Sequence, residues 1–201
     1  MCYLEEILVL GIYKISIKSI EGNSLELSQY IGKVLLIINV ASKCGFTPQY
    51  KEIQELHKKY ESKGLCIMAF PCNDFANQEP GSKNEIRDFC DRKYGVMFGV
   101  FEKITIRGGN PHSLYKYLEA LFSPVVRPKG IKAKFFRVFT SLMFWVKEGR
   151  FPRAGEVQWN FHKFIIDRKG TLVGHFSSDC SPFGPQVLKC IEHELGVSLV
   201  E

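Results

Sequence analysis

Two short, nearly uninterrupted apolar runs, residues 34–40 (Val-Leu-Leu-Ile-Ile-Asn-Val) and 65–70 (Leu-Cys-Ile-Met-Ala-Phe), constrain this chain more than any other feature. Runs of this length, rich in branched residues and without polar alternation, suit strands buried on both faces of a sheet. Between them Tyr50, Ile53, Leu56, His57 and Tyr60 recur at helical spacing, with Pro48 near the start and Gly64 past the end. That order predicts a strand, helix, strand unit, in which parallel neighbours are joined by a crossover helix.

Further elements follow along the chain. Residues 7–16 and 24–27 flank the turn-rich Glu21-Gly22-Asn23, which predicts an amino-terminal hairpin. Ser82-Lys83-Asn84-Glu85 is a capping-box pattern opening a helix through Ile86, Phe89, Cys90 and Lys93 that Gly95 closes. Residues 113–121 predict another helix. Residues 159–166 and 172–177 form strands around the loop Asp167-Arg168-Lys169-Gly170, and residues 185–195 form a last helix stopped by Gly196. The reading is one α/β domain over residues 1–201.

Composition sets the remaining bounds. Hydrophobic residues at 45% and charged residues at 24% are those of an ordinary globular domain, which disfavours disorder. The amino-terminal apolar run, residues 7–13, follows Glu5 and Glu6 rather than a basic region and is too short to span a bilayer. A strand, and a cytoplasmic protein with mostly reduced thiols, are therefore expected. The seven cysteines have irregular spacing and no Cys-x-x-Cys pair, and the five histidines have no metal-ligand spacing. No metal or other cofactor is called for.

Cys44 is the leading candidate for chemistry. It lies in Asn39-Val40-Ala41-Ser42-Lys43-Cys44-Gly45-Phe46-Thr47-Pro48, where the first strand ends and the helix begins. Unpaired backbone N–H groups and the positive end of a helix are expected to stabilise a thiolate there, with Lys43 alongside. Two more segments hang on predicted strand ends, where open α/β sheets place their sites: Phe70-Pro71-Cys72-Asn73-Asp74-Phe75-Ala76-Asn77-Gln78-Glu79-Pro80-Gly81 and Trp159-Asn160-Phe161-His162-Lys163-Phe164. Gln78, Trp159 and Asn160 supply N–H donors that cannot ionise and repel an anion.

Together the three segments resemble the glutathione peroxidase family, over residues from about 35 to 195. The resemblance implies a thioredoxin-like fold, with a central mixed sheet flanked by helices. It also implies a peroxidase that reduces hydrogen peroxide and organic or lipid hydroperoxides, with Cys44 as the reactive cysteine and Gln78, Trp159 and Asn160 as the catalytic donors. Phe89-Cys90-Asp91-Arg92-Lys93-Tyr94-Gly95-Val96 matches the helix that carries the resolving cysteine in the branch recycled through an internal disulfide. Cys90 takes that role by resemblance, with local unwinding of its helix expected on oxidation. A thioredoxin-like protein is the expected reductant, glutathione the alternative, and a hydroperoxide sensor or redox relay a reading of another class. Cys72 has no such role, Cys66 belongs to a strand, and Cys2, Cys180 and Cys190 carry no motif.

Asp74 and Ala76 stand where the family pattern has glutamine and glycine, and Gly99 stands where a proline is common. The larger departure is an insertion at about residues 123–157. From Arg127 to Arg153 it carries eight basic residues against Glu148 alone, 8 − 1 = +7, together with the aromatic-rich run of residues 135–146. A helix resting on the domain, a homo-oligomer contact and a basic interfacial helix on a membrane surface all fit such a segment, with the subunit contact favoured over the membrane. Nucleic acid is not an expected partner.

Overall fold

The buried runs meet edge to edge. In the computed structural model, which describes residues 11–121 and 123–197, the first run is strand β3 (Val34–Val40) and the second β4 (Leu65–Pro71). They pair in parallel, from Val34 opposite Leu65 to Val40 opposite Pro71. Every residue of β3 is buried, as a central strand covered on both sides requires. Burying each of its leucine, isoleucine and valine side chains stabilises the fold by about 1.5–3 kcal/mol, so a charge at Ile37 or Ile38 would break the sheet at its centre.

The crossover is helix α1 (Gln49–Tyr60), which buries the five residues predicted for its inner face and packs on β4. Strands β6 (Lys163–Ile166) and β7 (Leu172–Phe176) are antiparallel and β5 (Gly99–Val100) is parallel to β4, giving the order β5-β4-β3-β6-β7. Helix α3 (Ser113–Ala120) sets Tyr115 against Phe70 and Phe164, and helix α5 (Pro185–Leu195) packs on β3 and β7. This is the thioredoxin-like arrangement expected.

At the amino-terminal side the hairpin is shorter than predicted. Its strands are β1 (Ser16–Lys18) and β2 (Ser24–Glu26), docked beside β5 through a Ser19–Phe101 bridge. Residues 11–13 form a helical turn rather than strand, burying Ile12 and Tyr13 in the core, while residues 7–10 lie outside the described residues. The strand predicted from residue 159 begins only at Lys163. Residues 159–162 form a loop in which Phe161 takes a left-handed φ of 65°, a conformation that strand pairing excludes.

Helix α2 (Lys83–Phe89) opens with the predicted capping box: the Ser82 side chain accepts the Glu85 N–H, and the Glu85 carboxylate accepts the Ser82 N–H. It then changes character. Cys90–Tyr94 form a turn of π-helix, and Gly95 closes it in the left-handed region. Within the insertion, Val126 runs beside β7, and residues Ile131–Glu148 form the 18-residue helix α4.

Candidate active site

Cys44 lies in the turn between β3 and α1, five residues before the first helical residue, Gln49. Its own N–H donates to Thr47 Oγ1 at 2.9 Å, and the Thr47 hydroxyl donates to the Ala41 carbonyl at 2.9 Å. This ties the turn to the strand end. The Phe46 N–H points at Cys44 Sγ, 3.4 Å away. The residue is buried, with 7% of its surface exposed, so bulk water cannot surround the sulfur.

Trp159 and Asn160 reach the same sulfur from the loop before β6. The Phe46 N–H, the Trp159 indole N–H, the Asn160 amide and the Gly45 N–H all favour the thiolate, but burial pushes the other way and prevails, leaving the Cys44 thiol above its usual range. This corrects the depression expected from sequence. The donors are present, yet removing the sulfur from water costs more than they return in the resting state. Lys43 is exposed, and its charge acts on Glu79.

The second segment arrives through Asn160, whose Nδ2 donates to Gln78 Oε1 at 3.0 Å. That contact occupies the oxygen of Gln78, and among the described residues its amide nitrogen has no partner and can donate. Among the described residues the buried Asn160 Oδ1 has no hydrogen-bond partner, an open acceptor. The loop of Gln78 is held twice: Lys43 N–H donates to the Gln78 carbonyl at 3.0 Å, and Ser42 Oγ donates to Glu79 Oε1 at 2.7 Å. The structure thus brings Cys44, Gln78, Trp159 and Asn160 into one constellation. Among the described residues Cys90 shares none of these hydrogen bonds; it is buried with its sulfur 3.8 Å from the Tyr50 hydroxyl, and burial pushes its thiol to about 11.

Several residues without a predicted role build this arrangement. Asn39, buried within β3, donates from Nδ2 to the Trp159 carbonyl at 3.2 Å and accepts the His162 N–H at 3.0 Å. Its own carbonyl accepts the Phe161 N–H. A polar residue inside an otherwise apolar strand was the available signal, because such a group is tolerated only when its hydrogen bonds are made. Asp74 also has work here: its carboxylate accepts the N–H groups of Ile106 and Arg107, which fastens the Gln78 loop to the segment before α3. Ala76 does adopt the left-handed angles for which glycine is the easier residue, at φ 53°.

Behind the site, the imidazole nitrogens of His162 and His175 lie 2.6 Å apart, and His175 Nδ1 is 3.0 Å from the Ser123 carbonyl. Burial holds both rings well below the usual histidine range, His175 at about 4. Lys163 is buried too, donating to the Phe161 carbonyl at 2.7 Å, and burial lowers its ammonium to about 7. Among the described residues no group of three or more His, Cys, Asp or Glu side chains is placed to hold a metal.

Residues 12–119 match the family model for glutathione peroxidase. The chain belongs to the glutathione peroxidase family. It is 43% identical over 170 residues to the glutathione peroxidase-like peroxiredoxin 2 of Saccharomyces cerevisiae, covering 85% of this chain and 89% of that protein. It is 39% identical over 171 residues to the hydroperoxy fatty acid reductase gpx1 of Synechocystis, covering 85% and 89%. Among solved structures, the crystal structure of T. cruzi GPX1 superposes with a TM-score of 0.64 at 29% identity, covering 92% of this chain and 97% of the other. This chain is a peroxidase of that family.

Proposed function

We propose that this peroxidase reduces hydrogen peroxide and organic or lipid hydroperoxides through Cys44, and that Cys90 and a thioredoxin-like protein return it to the thiol state. The observation that carries the reading is the convergence of the Phe46 N–H, the Trp159 indole and the Asn160 amide on one sulfur, with Gln78 tied to Asn160. The Cys44 thiolate attacks one peroxide oxygen, the O–O bond breaks, and the products are a sulfenic acid and an alkoxide or hydroxide that takes up a proton. Neutral donors stabilise charge on sulfur before the attack and on the departing oxygen after it, where they lower the barrier.

The thiol of Cys90 then attacks the sulfenic sulfur, forming a Cys44–Cys90 disulfide and releasing water. A dithiol protein reduces this disulfide to two thiols and is itself oxidised. Cys90 is buried against Tyr50, and in this scheme its segment opens to bring it to Cys44. The turn of π-helix at Cys90–Tyr94 supports that reading, since its backbone ladder is already irregular where it must come apart. Steady-state consumption of hydroperoxide with thioredoxin and with glutathione, followed by peptide mapping, tests the scheme. A protein that turns over only with glutathione and forms no Cys44–Cys90 bridge would refute the recycling route; one that reacts with peroxide once and is reduced by neither donor would point to the sensor reading.

A further inference from the structure

Helix α4 turns an apolar face to each side. Its inner side rests on the domain: Phe144 is buried between the guanidinium groups of Arg107 and Arg150, Thr140 meets Gln158, and Phe136 stands edge-on to Phe46 with ring centres 5.1 Å apart. Its outer side is unexpected. At 3.6 residues per turn, Ile131, Phe135, Val138, Leu142, Trp145 and Val146 fall within an arc of about 100° that points away from the domain. Each of the six is at least 47% exposed. The stripe runs along nearly the whole helix, which is about 27 Å long from 18 residues at about 1.5 Å each.

The flanks of the stripe are basic. The one acid of the helix, Glu148, falls on the same side as Lys134 and Arg137, but Lys134 borders one edge of the stripe, Arg137 lies further round, Lys132 borders the other edge, and Lys129 comes just before the helix. Among the described residues none of these four basic residues forms an ion pair. A long apolar stripe between two basic rims is the pattern of a helix lying in the interface of an anionic bilayer. It suits a second copy of the chain poorly, because a two-fold contact through the stripe would bring basic rims onto basic rims. The helix is not long and apolar enough to cross a membrane.

The same helix borders the active site. Phe139 stands edge-on to Trp159 with ring centres 5.3 Å apart, and Phe46 lies two residues from Cys44. A cleft of about 200 Å³ runs between α4 and the loop before Gln78, lined by Phe75, Ala76, Met143 and Val146 and by the charged Lys147, and it meets the Cys44 constellation at Trp159. Val146 belongs both to the cleft and to the outer stripe. We infer that α4 seats the protein on anionic membrane surfaces and opens this cleft to the hydroperoxide groups of oxidised phospholipid acyl chains. The choice of substrate rests on the peroxidase reading above; the docking does not. The reaction is the one already written, with the acyl-chain hydroperoxide giving its outer oxygen to Cys44 and leaving as the alcohol.

Co-sedimentation of the full, reduced chain with phosphatidylserine–phosphatidylcholine vesicles, in the absence of any peroxide, tests the docking. The intact protein is expected to bind these vesicles, to bind pure phosphatidylcholine less, and to release as salt is raised. Val138→Glu with Leu142→Glu, both on the exposed stripe, should weaken binding about tenfold or more. The same variant should slow reduction of phospholipid hydroperoxide in vesicles by a similar factor while consuming hydrogen peroxide at the original rate. An intact protein that stays in the supernatant, or a Lys132→Glu, Lys134→Glu variant that binds as well as the original, would overturn the inference. A doubled mass by light scattering that the stripe variant abolishes, without vesicle binding, would overturn it in favour of a second copy. Vesicle binding without hydrogen peroxide turnover would instead count against the peroxidase reading alone.

Discussion

Cys44 and Cys90 are buried to similar degrees, yet the chain holds them in opposite ways. Around Cys44 almost every backbone and side-chain group is pinned: Thr47 ties the turn to Ala41, Glu79 ties Ser42 to the Gln78 loop, and Asn39 ties β3 to the loop of Trp159 and Asn160. Cys90 sits where an α-helix gives way to a single turn of π-helix; its carbonyl accepts the Val96 N–H, its sulfur meets the Tyr50 hydroxyl, and the rings of Phe89, Tyr94 and Phe98 pack around Tyr50. Hydrogen-bonded pins fix a geometry to tenths of an ångström, whereas ring packing resists loss of area but tolerates sliding. One environment suits a nucleophile whose donors must already be in place. The other suits a thiol that must travel.

Replacing each sulfur tests that contrast most severely. Cys44→Ser should fold normally and consume no hydroperoxide, because serine keeps the size and loses the accessible anion; substantial turnover by the folded variant would remove the nucleophile from the scheme. Cys90→Ser should still oxidise Cys44 once but lose thioredoxin-driven turnover, read as one equivalent of peroxide consumed per protein. In the unsubstituted protein the same equivalent should speed amide exchange across residues 83–94 and leave the Cys44 turn protected. Equal exchange in the oxidised and reduced states would mean that no opening is needed, and the contrast between the two cysteines would fail.

Smaller effects are expected from the donors. Asn160→Ala removes one N–H from the sulfur and releases Gln78, so oxidation of Cys44 should slow by on the order of 10²-fold. Gln78→Ala should fall short of that, since Asn160 remains. Stopped-flow oxidation of Asn160→Ala at the original rate would show that the constellation is structural rather than catalytic. Asn39→Ala separates positioning from chemistry, because Asn39 touches no reacting atom: a slower kcat matched by Asn39→Asp, which keeps the acceptor oxygen and loses the Nδ2 donor, would trace the effect to the bond with the Trp159 carbonyl, and an unchanged kcat would show that this tie is not needed.

Much of this was legible because burial writes itself into sequence. The runs around Ile37 and Met68, the helical spacing of Tyr50 to Tyr60 and the Ser82–Glu85 box each state one local rule that the fold obeys. The site was legible in its side chains and not in its energetics: the donors to Cys44 were named, but the balance between them and burial depends on how much water the fold removes, which no local pattern records. The role of Asn39 was hidden for a related reason, since its partners lie more than a hundred residues away. In α4 the apolar run was plain but its direction was not. Phe136 and Phe144 face inward while Phe135 and Leu142 face out, and hydrophobicity alone cannot say on which side of a helix the domain lies.

The mildest test concerns the proton on Cys44. Burial raises this thiol above its ordinary range despite four donors, so near neutral pH the thiolate is the minor form. Reaction with a simple electrophile follows the thiolate fraction, which grows about tenfold per pH unit below the pKa. Alkylation by iodoacetamide, followed on the Cys44 peptide by mass, should therefore keep rising from pH 7 through pH 9 without a plateau. Asn160→Ala should be slower at each pH, because losing a donor raises the thiol further. Oxidation by hydroperoxide should far outrun alkylation at the same pH, since only the peroxide has a departing oxygen for the freed Gln78 amide and its neighbours to hold. A plateau already reached by pH 7 would reverse the balance: the donors would outweigh burial, and Cys44 would rest as the anion its surroundings are built to receive.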